Sequence, residues 1–231
     1  MLESLFREEG CEGAELTTLK VPHSTEPDLI CTLPAADAEA GTIIVGGHYD
    51  HVQVGMGAVD DWSGAVLLPS LYAALKSEPR RHRYVFIAFA GEENGLNGST
   101  EYVRRLTKPE RAEVKAMINL ECLGLTPPKV WVTRADRRLL SLFTGVAKAI
   151  GVPVAGSNVD DLGDDDSHPF LSANIPVLTM HSITQETFEV LHSPYDQVKA
   201  IQPNYYYAAY RMAAAFLSTL DTALEAPRAT K

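Results

Sequence analysis

TIIVGG, residues 42–47, runs directly into HYDH, residues 48–51. After Thr42 the run is apolar or glycine with no polar alternation, as in a strand buried on both faces. Polar chemistry then begins at the carboxyl end of that run, with His48 and Asp50 two positions apart. The same order recurs downstream. YVFIAFA (84–90) leads through Gly91 to Glu92 and Glu93, and AMINL (116–120) leads to Glu121. KVWV (129–132) and IPVLTM (175–180) are further short apolar runs. Helical patterns separate these strands. Leu139, Leu140, Phe143, Val146, Ala147 and Ile150 recur at three- and four-residue spacing behind Asp136, an N-cap, and stop at Gly151. Pro203 opens another helix, striped by Tyr206, Tyr210, Ala213, Leu217 and Leu220, on which the YYYAAY run (205–210) reads as core packing. A helix over 63–76 carries Leu67, Leu68, Leu71 and Leu75 but holds Pro69, which should bend or delay it. Strand–helix alternation predicts an α/β fold, a three-layer αβα sandwich around a mixed, largely parallel sheet. Residues 1–231 are expected to form one domain, with a helix and edge strands over 1–35 and a frayed tail over 224–231.

Composition narrows the function. The 231 residues suffice for one sizeable core. Asp and Glu number 30 against 20 Lys and Arg, a net charge of −10, which argues against nucleic acid and anionic membranes as partners. No run approaches the ~20 apolar residues of a membrane span. Cys11, Cys31 and Cys122 are too few for a disulfide framework or a four-thiolate zinc site, and a single bridge stays open. MLESLFREEG, residues 1–10, lacks the basic and long apolar parts of a signal peptide. That leaves a cytoplasmic protein or an exported one whose signal has been removed.

Ligands of open α/β sheets bind at the carboxyl ends of the strands. Three strands bring His48 and Asp50, Glu92 and Glu93, and Glu121 to one rim, and Asp60 and His192 lie in loops that can reach it. Converging acids raise one another's pKa, so a cation must hold them together, and with histidines present a metal is the natural candidate. Each fragment alone is weak. An HxD is commonly a capped or solvated loop, and a Glu-Glu pair is usually surface. Asp60-Asp61 could merely cap a helix starting near Ser63, and His192 could be a satisfied partner of Asp196. Their combination in chain order is far more specific.

GGHYDH (46–51), GAVDDWSG (57–64), AGEENGLNGS (90–99), INLE (118–121), DSHPF (166–170) and LHSPYD (191–196) resemble the successive blocks of the di-zinc exopeptidases. That family includes bacterial leucyl aminopeptidases, glutamate carboxypeptidase and the glutaminyl cyclases, and the resemblance runs from about residue 40 to 220. It implies that His48 and Glu121 bind one zinc, that Glu93 and His192 bind the other, and that Asp60 bridges both. It further implies that Asp50 accepts the other N–H of His48, that Glu92 is the general base, and that a cis peptide follows Asp60. The implied enzyme is a metallo-aminopeptidase that hydrolyses the N-terminal bond of a peptide substrate with metal-activated water. Carboxypeptidase action stays open, although the basic residues it needs cannot be placed. The alternative is a glutaminyl cyclase-like aminoacyltransferase with a single zinc, a branch that SHPFLSANIPVL (167–178) resembles. A non-catalytic receptor branch would be marked by lost ligands, and the full set is present here.

Glu121 stands where the family more often has Asp, which makes one-zinc occupancy more plausible. The family's Ser-Asp-His block stands here as Asp166-Ser167-His168, where His168 either binds substrate or holds its loop. Asp160, Asp161, Asp164, Asp165 and Asp166 read as a solvated loop, since their spacing is not that of an EF-hand. His51, His82 and His181 have no evident partners and read as surface or structural. Strand alternation points Cys122 away from Glu121, into packing. Asn97-Gly98-Ser99 matches a glycosylation sequon, but helix capping by Ser99 is the simpler explanation. Residue preference and oligomeric state carry no readable code.

Overall fold

The computed structural model describes residues 1–36 and 40–224. Its strands are β1 (Leu16–Leu19), β2 (Asp28–Leu33), β3 (Thr42–His48), β4 (Arg83–Phe89), β5 (Val114–Glu121), β6 (Lys129–Trp131), β7 (Ala155–Ser157) and β8 (Val177–His181). They form one eight-stranded sheet in the order β1-β2-β4-β3-β5-β8-β6-β7. The centre is parallel: β3 pairs with β4 and β5, and β5 with β8. The flanks introduce the antiparallel pairs β1–β2, β2–β4 and β6–β8. The expected mixed, largely parallel sheet is therefore what the chain builds.

The helices are α1 (Leu2–Glu8), α2 (Trp62–Ala65), α3 (Leu67–Lys76), α4 (Asn97–Arg105), α5 (Lys108–Glu113), α6 (Arg137–Ile150), α7 (His168–Ser172) and α8 (Pro203–Ala223). Alternation along the central strands feeds two cores. Ile43, Val45, Phe86 and Ile118 face one cluster with Phe6 of α1, Leu71 of α3, Phe143 of α6 and Phe216 of α8. Ile44, Val85, Ile87 and Met117 face the other with Val103 of α4 and Phe170 of α7. Each of these large apolar side chains contributes about 1.5–3 kcal/mol on burial. Helices on both faces explain why the strands read as unbroken apolar runs. No helix among the described residues is long and apolar enough to cross a membrane.

Several local expectations meet their physical limits. The helix over 63–76 is two helices, broken at Val66, with Pro69 in the first turn of α3, where its missing N–H costs nothing. α6 runs as expected from its Asp136 cap, whose side chain accepts from Arg138 and Leu139, to Gly151 in the left-handed region. The tyrosine run of α8 is not core. Tyr207 is exposed, and the buried stripe is Ala209, Met212, Ala213, Phe216, Leu217 and Leu220, with Tyr206 and Tyr210 only packed against its margin. The hydroxyl of Tyr206 explains its position, because it donates to the Ser63 carbonyl at 2.8 Å. Ser99 lies inside α4 rather than capping it, and its hydroxyl donates back to the Leu96 carbonyl at 3.3 Å. Cys11 and Cys31 form the single bridge that composition left open, tying the segment after α1 to β2. The expected frayed tail falls, beyond Leu224, outside the described residues.

Candidate metal centre

The polar side chains converge because their strands end on one rim. His48 is the last residue of β3 and Glu121 the last of β5, while Glu92 and Glu93 follow β4 after Gly91, whose φ of +74° turns the chain there. The Nε2 atom of His48 lies 3.1 Å from Oδ1 of Asp60, 3.5 Å from Oε1 of Glu121 and 3.9 Å from Oε2 of Glu92. From the other side, Nε2 of His192 lies 3.2 Å from Oδ2 of Asp60 and 3.0 Å from Oε2 of Glu93. The two oxygens of Asp60 thus face different imidazoles. Asn119, on the same face of β5 as Glu121, donates its amide to Oε2 of Glu121 and to Oδ2 of Asp165, both at 3.1 Å.

The surrounding hydrogen bonds fix this arrangement and correct three readings. Asp50 does sit behind His48, but its backbone carbonyl, 3.0 Å from Nδ1, takes the expected role. Its carboxylate lies farther off, at 3.8 Å, and instead accepts the backbone N–H groups of Glu92 at 3.1 Å and Glu93 at 3.2 Å. His192 is not the partner of Asp196. Asp196 accepts the backbone N–H groups of Val59 at 2.7 Å and Asp60 at 3.3 Å, holding the loop that presents Asp60. Cys122 does not point away. β5 ends at Glu121, and a φ of +48° at Cys122 brings its thiol back to donate to Oε1 of Glu121 at 3.3 Å. Alternation holds only while the chain stays extended.

The Asp60–Asp61 peptide is cis, as the resemblance implies. Both readings of this pair hold, one for each residue. Asp61 caps α2 through Gly64 N–H at 3.0 Å and accepts Cys122 N–H at 2.9 Å. It also lies with His48 and Glu121 in a group whose ligand atoms are all within 4.8 Å, a proximity that sequence reasoning missed. Asp60, Glu93 and His192 form a second such group.

Charge accounts for what these groups require. A hydrogen bond to Asp60, with the charge of Glu93, raises His192 to about 9 against partial burial. Burial opposes protonation of His48, yet Glu92, Asp60 and Glu121 together push it well above the ordinary range. Burial would raise Asp60, but the two imidazoles hold it below the usual carboxylate range. Burial pushes Glu92 up to about 10, helped by Asp166, Glu121 and Asp60 and opposed by His48. Burial also raises Glu93 and Glu121. Protons therefore fill a position that a cation would fill, and buried Oε1 of Glu93 has no hydrogen-bond partner among the described residues. Mixed imidazole and carboxylate donors around one shared aspartate fit a pair of zinc-like ions.

Other candidates separate from this centre. His168 is half-buried and not among the residues lining the cleft, with Nδ1 3.2 Å from Asp164, which also pairs with Arg134 at 2.6 Å. The aspartate run is only partly solvated. Asp165 and Asp166 are buried, and Asp165 accepts the hydroxyls of Ser167 at 2.5 Å and Thr179 at 2.6 Å. His82 has a buried partner in Asp221 at 3.1 Å, a pairing across 139 residues that no local pattern signals. The centre opens into a cleft of about 580 Å³ whose apolar walls include Leu96, Phe188 and Leu191.

Comparison with known proteins follows the same residues. Residues 28–217 match peptidase family M28. Leupeptin-inactivating enzyme 1 of Streptomyces exfoliatus is 31% identical over 165 residues, which are 70% of this chain and 37% of that enzyme. A zinc aminopeptidase from Bacillus subtilis superposes with a TM-score of 0.77 at 25% identity, over 84% of this chain and 50% of the other. This chain thus spans half or less of the length of these two proteins. A glutaminyl cyclase from an Acidobacteriales bacterium shares the fold, with a TM-score of 0.77 at 18% identity over 96% of this chain and 84% of the other. Since the matched span contains His48, Asp60, Glu93, Glu121 and His192 together, the chain belongs to peptidase family M28.

Proposed function

We propose that the protein is a zinc-dependent aminopeptidase that hydrolyses the N-terminal bond of a peptide. One observation carries the reading: the two oxygens of Asp60 face His48 and His192 separately, at 3.1 and 3.2 Å, as one carboxylate shared by two cations would. His48 and Glu121 would hold one zinc, Glu93 and His192 the other, and Asp60 both. When bound, the ions supply Lewis acidity toward a water and the scissile carbonyl. Glu92, whose backbone is held by Asp50, accepts the proton of the attacking water and passes it to the leaving amine, a contribution of about 10²–10⁴-fold. The acidic rim suits the ammonium group of a free N-terminus. The likeness to a zinc aminopeptidase from Bacillus subtilis supports the same direction. The Cys11–Cys31 bridge favours the exported alternative for its location, because disulfides persist in oxidising compartments.

Metal analysis of the purified chain, together with hydrolysis of aminoacyl anilides, tests the proposal. Two zinc ions per chain and release of the anilide are expected. One zinc with pyroglutamate formation from an N-terminal glutamine, and no anilide release, would replace it with the cyclase reading.

A further inference from the structure

His181, the last residue of β8, pairs in register with Glu121 on the neighbouring β5 and lines the same cleft. Its side chain is fully buried. Nδ1 accepts the Ile183 backbone N–H at 3.1 Å, so the lone pair is there and the proton of the neutral ring is on Nε2. The Nε2–H finds no hydrogen-bond partner among the described residues. A histidine that served only packing would leave this donor unpaired at a real cost. His181 instead lines a cleft together with Leu96, Val159, Ile183 and Leu191, where an incoming group is the available acceptor.

We infer that His181 determines specificity, donating its Nε2–H to an acceptor atom on the side chain of the substrate's N-terminal residue. The inference rests on the aminopeptidase reading and names the substrate class for that site: neutral polar side chains, such as a carboxamide or hydroxyl, in preference to aliphatic ones of the same shape. An aliphatic side chain would leave the buried donor unpaired, whereas a polar one supplies its missing acceptor. An acidic side chain is disfavoured because Asp60, Glu92, Glu93, Glu121 and Asp165 already line the cleft.

The test uses the zinc-loaded full chain and two near-isosteric pairs of anilides, asparagine with leucine and threonine with valine. The wild type should favour the polar member of each pair in kcat/KM by about tenfold or more. His181→Leu should erase or reverse both ratios, while His181→Gln, which keeps an amide N–H, should restore them. Melting curves check that the variants fold, and if they do not, the wild-type ratios alone decide. A wild-type preference for the aliphatic members overturns the inference, as do ratios unchanged in His181→Leu. An equal loss on all four substrates also overturns it, placing the donor at the scissile carbonyl instead. No anilide release by the zinc-loaded wild type overturns the aminopeptidase reading and takes this inference with it.

Discussion

Adjacent glutamates face different tasks at this centre. Glu93 meets His192 at 3.0 Å, whereas Glu92 reaches the His48 side at 3.9 Å, and the two oxygens of Asp50 hold their backbone amides apart. Glu92→Gln should therefore keep zinc, because the proposed ligands are untouched, while kcat falls by about 10²–10⁴-fold. Metal content and turnover measured on the same preparation check this, and the parental rate in the variant would remove Glu92 from the base role. Much of the centre could be read residue by residue, since His48, Glu92, Glu93 and Glu121 each follow directly on an apolar run. What escaped was set by atoms rather than by residue types. The two-residue spacing placed Asp50 correctly, but could not say that its carbonyl would serve His48 and its carboxylate the glutamates. The turn at Cys122 likewise depends on one backbone dihedral beyond the strand.

At the level of elements, α2 lies very close to the end of β5. A Cβ on Gly64 would sit 2.3 Å from the Leu120 carbonyl oxygen and 2.4 Å from Oδ2 of Asp61. Gly64→Ala should thus push α2 away from β5, costing about 1–3 kcal/mol as an overpacked contact does. Because α2 begins just after Asp60 and is capped by Asp61, zinc binding should weaken as well. Melting temperatures with and without zinc measure both effects, and parental values for each would show that the contact yields freely. Long elements were legible because their periodicity is, as α6 illustrates. Short ones were not. α4 (NGSTEYVRR) and α5 (KPERAE) hold few apolar residues, and the capping box of α5, Thr107 with Glu110, is a two-residue signal easily lost in polar sequence.

Across the whole molecule, layer order followed from strand–helix alternation, yet the edges did not. The antiparallel flanks and the Cys11–Cys31 link depend on partners distant in sequence. The charge balance of the assembled centre gives a further expectation. His192 keeps its proton up to about pH 9 in the metal-free protein, and zinc can bind only the deprotonated ring. Zinc binding near pH 7.5 should therefore release protons, and apparent affinity should climb between pH 6 and 9 by about tenfold per unit for each proton displaced. Calorimetry in buffers of different ionisation enthalpy reads the release directly. Uptake independent of pH would contradict the charge arrangement.

The hydrogen bonds from Val59 and Asp60 to Asp196 span 137 and 136 residues. During synthesis, β3, β4 and β5 are all made well before this late loop. The loop that presents Asp60 therefore cannot be locked in place until Asp196 has joined the fold, so the metal centre is completed late in folding.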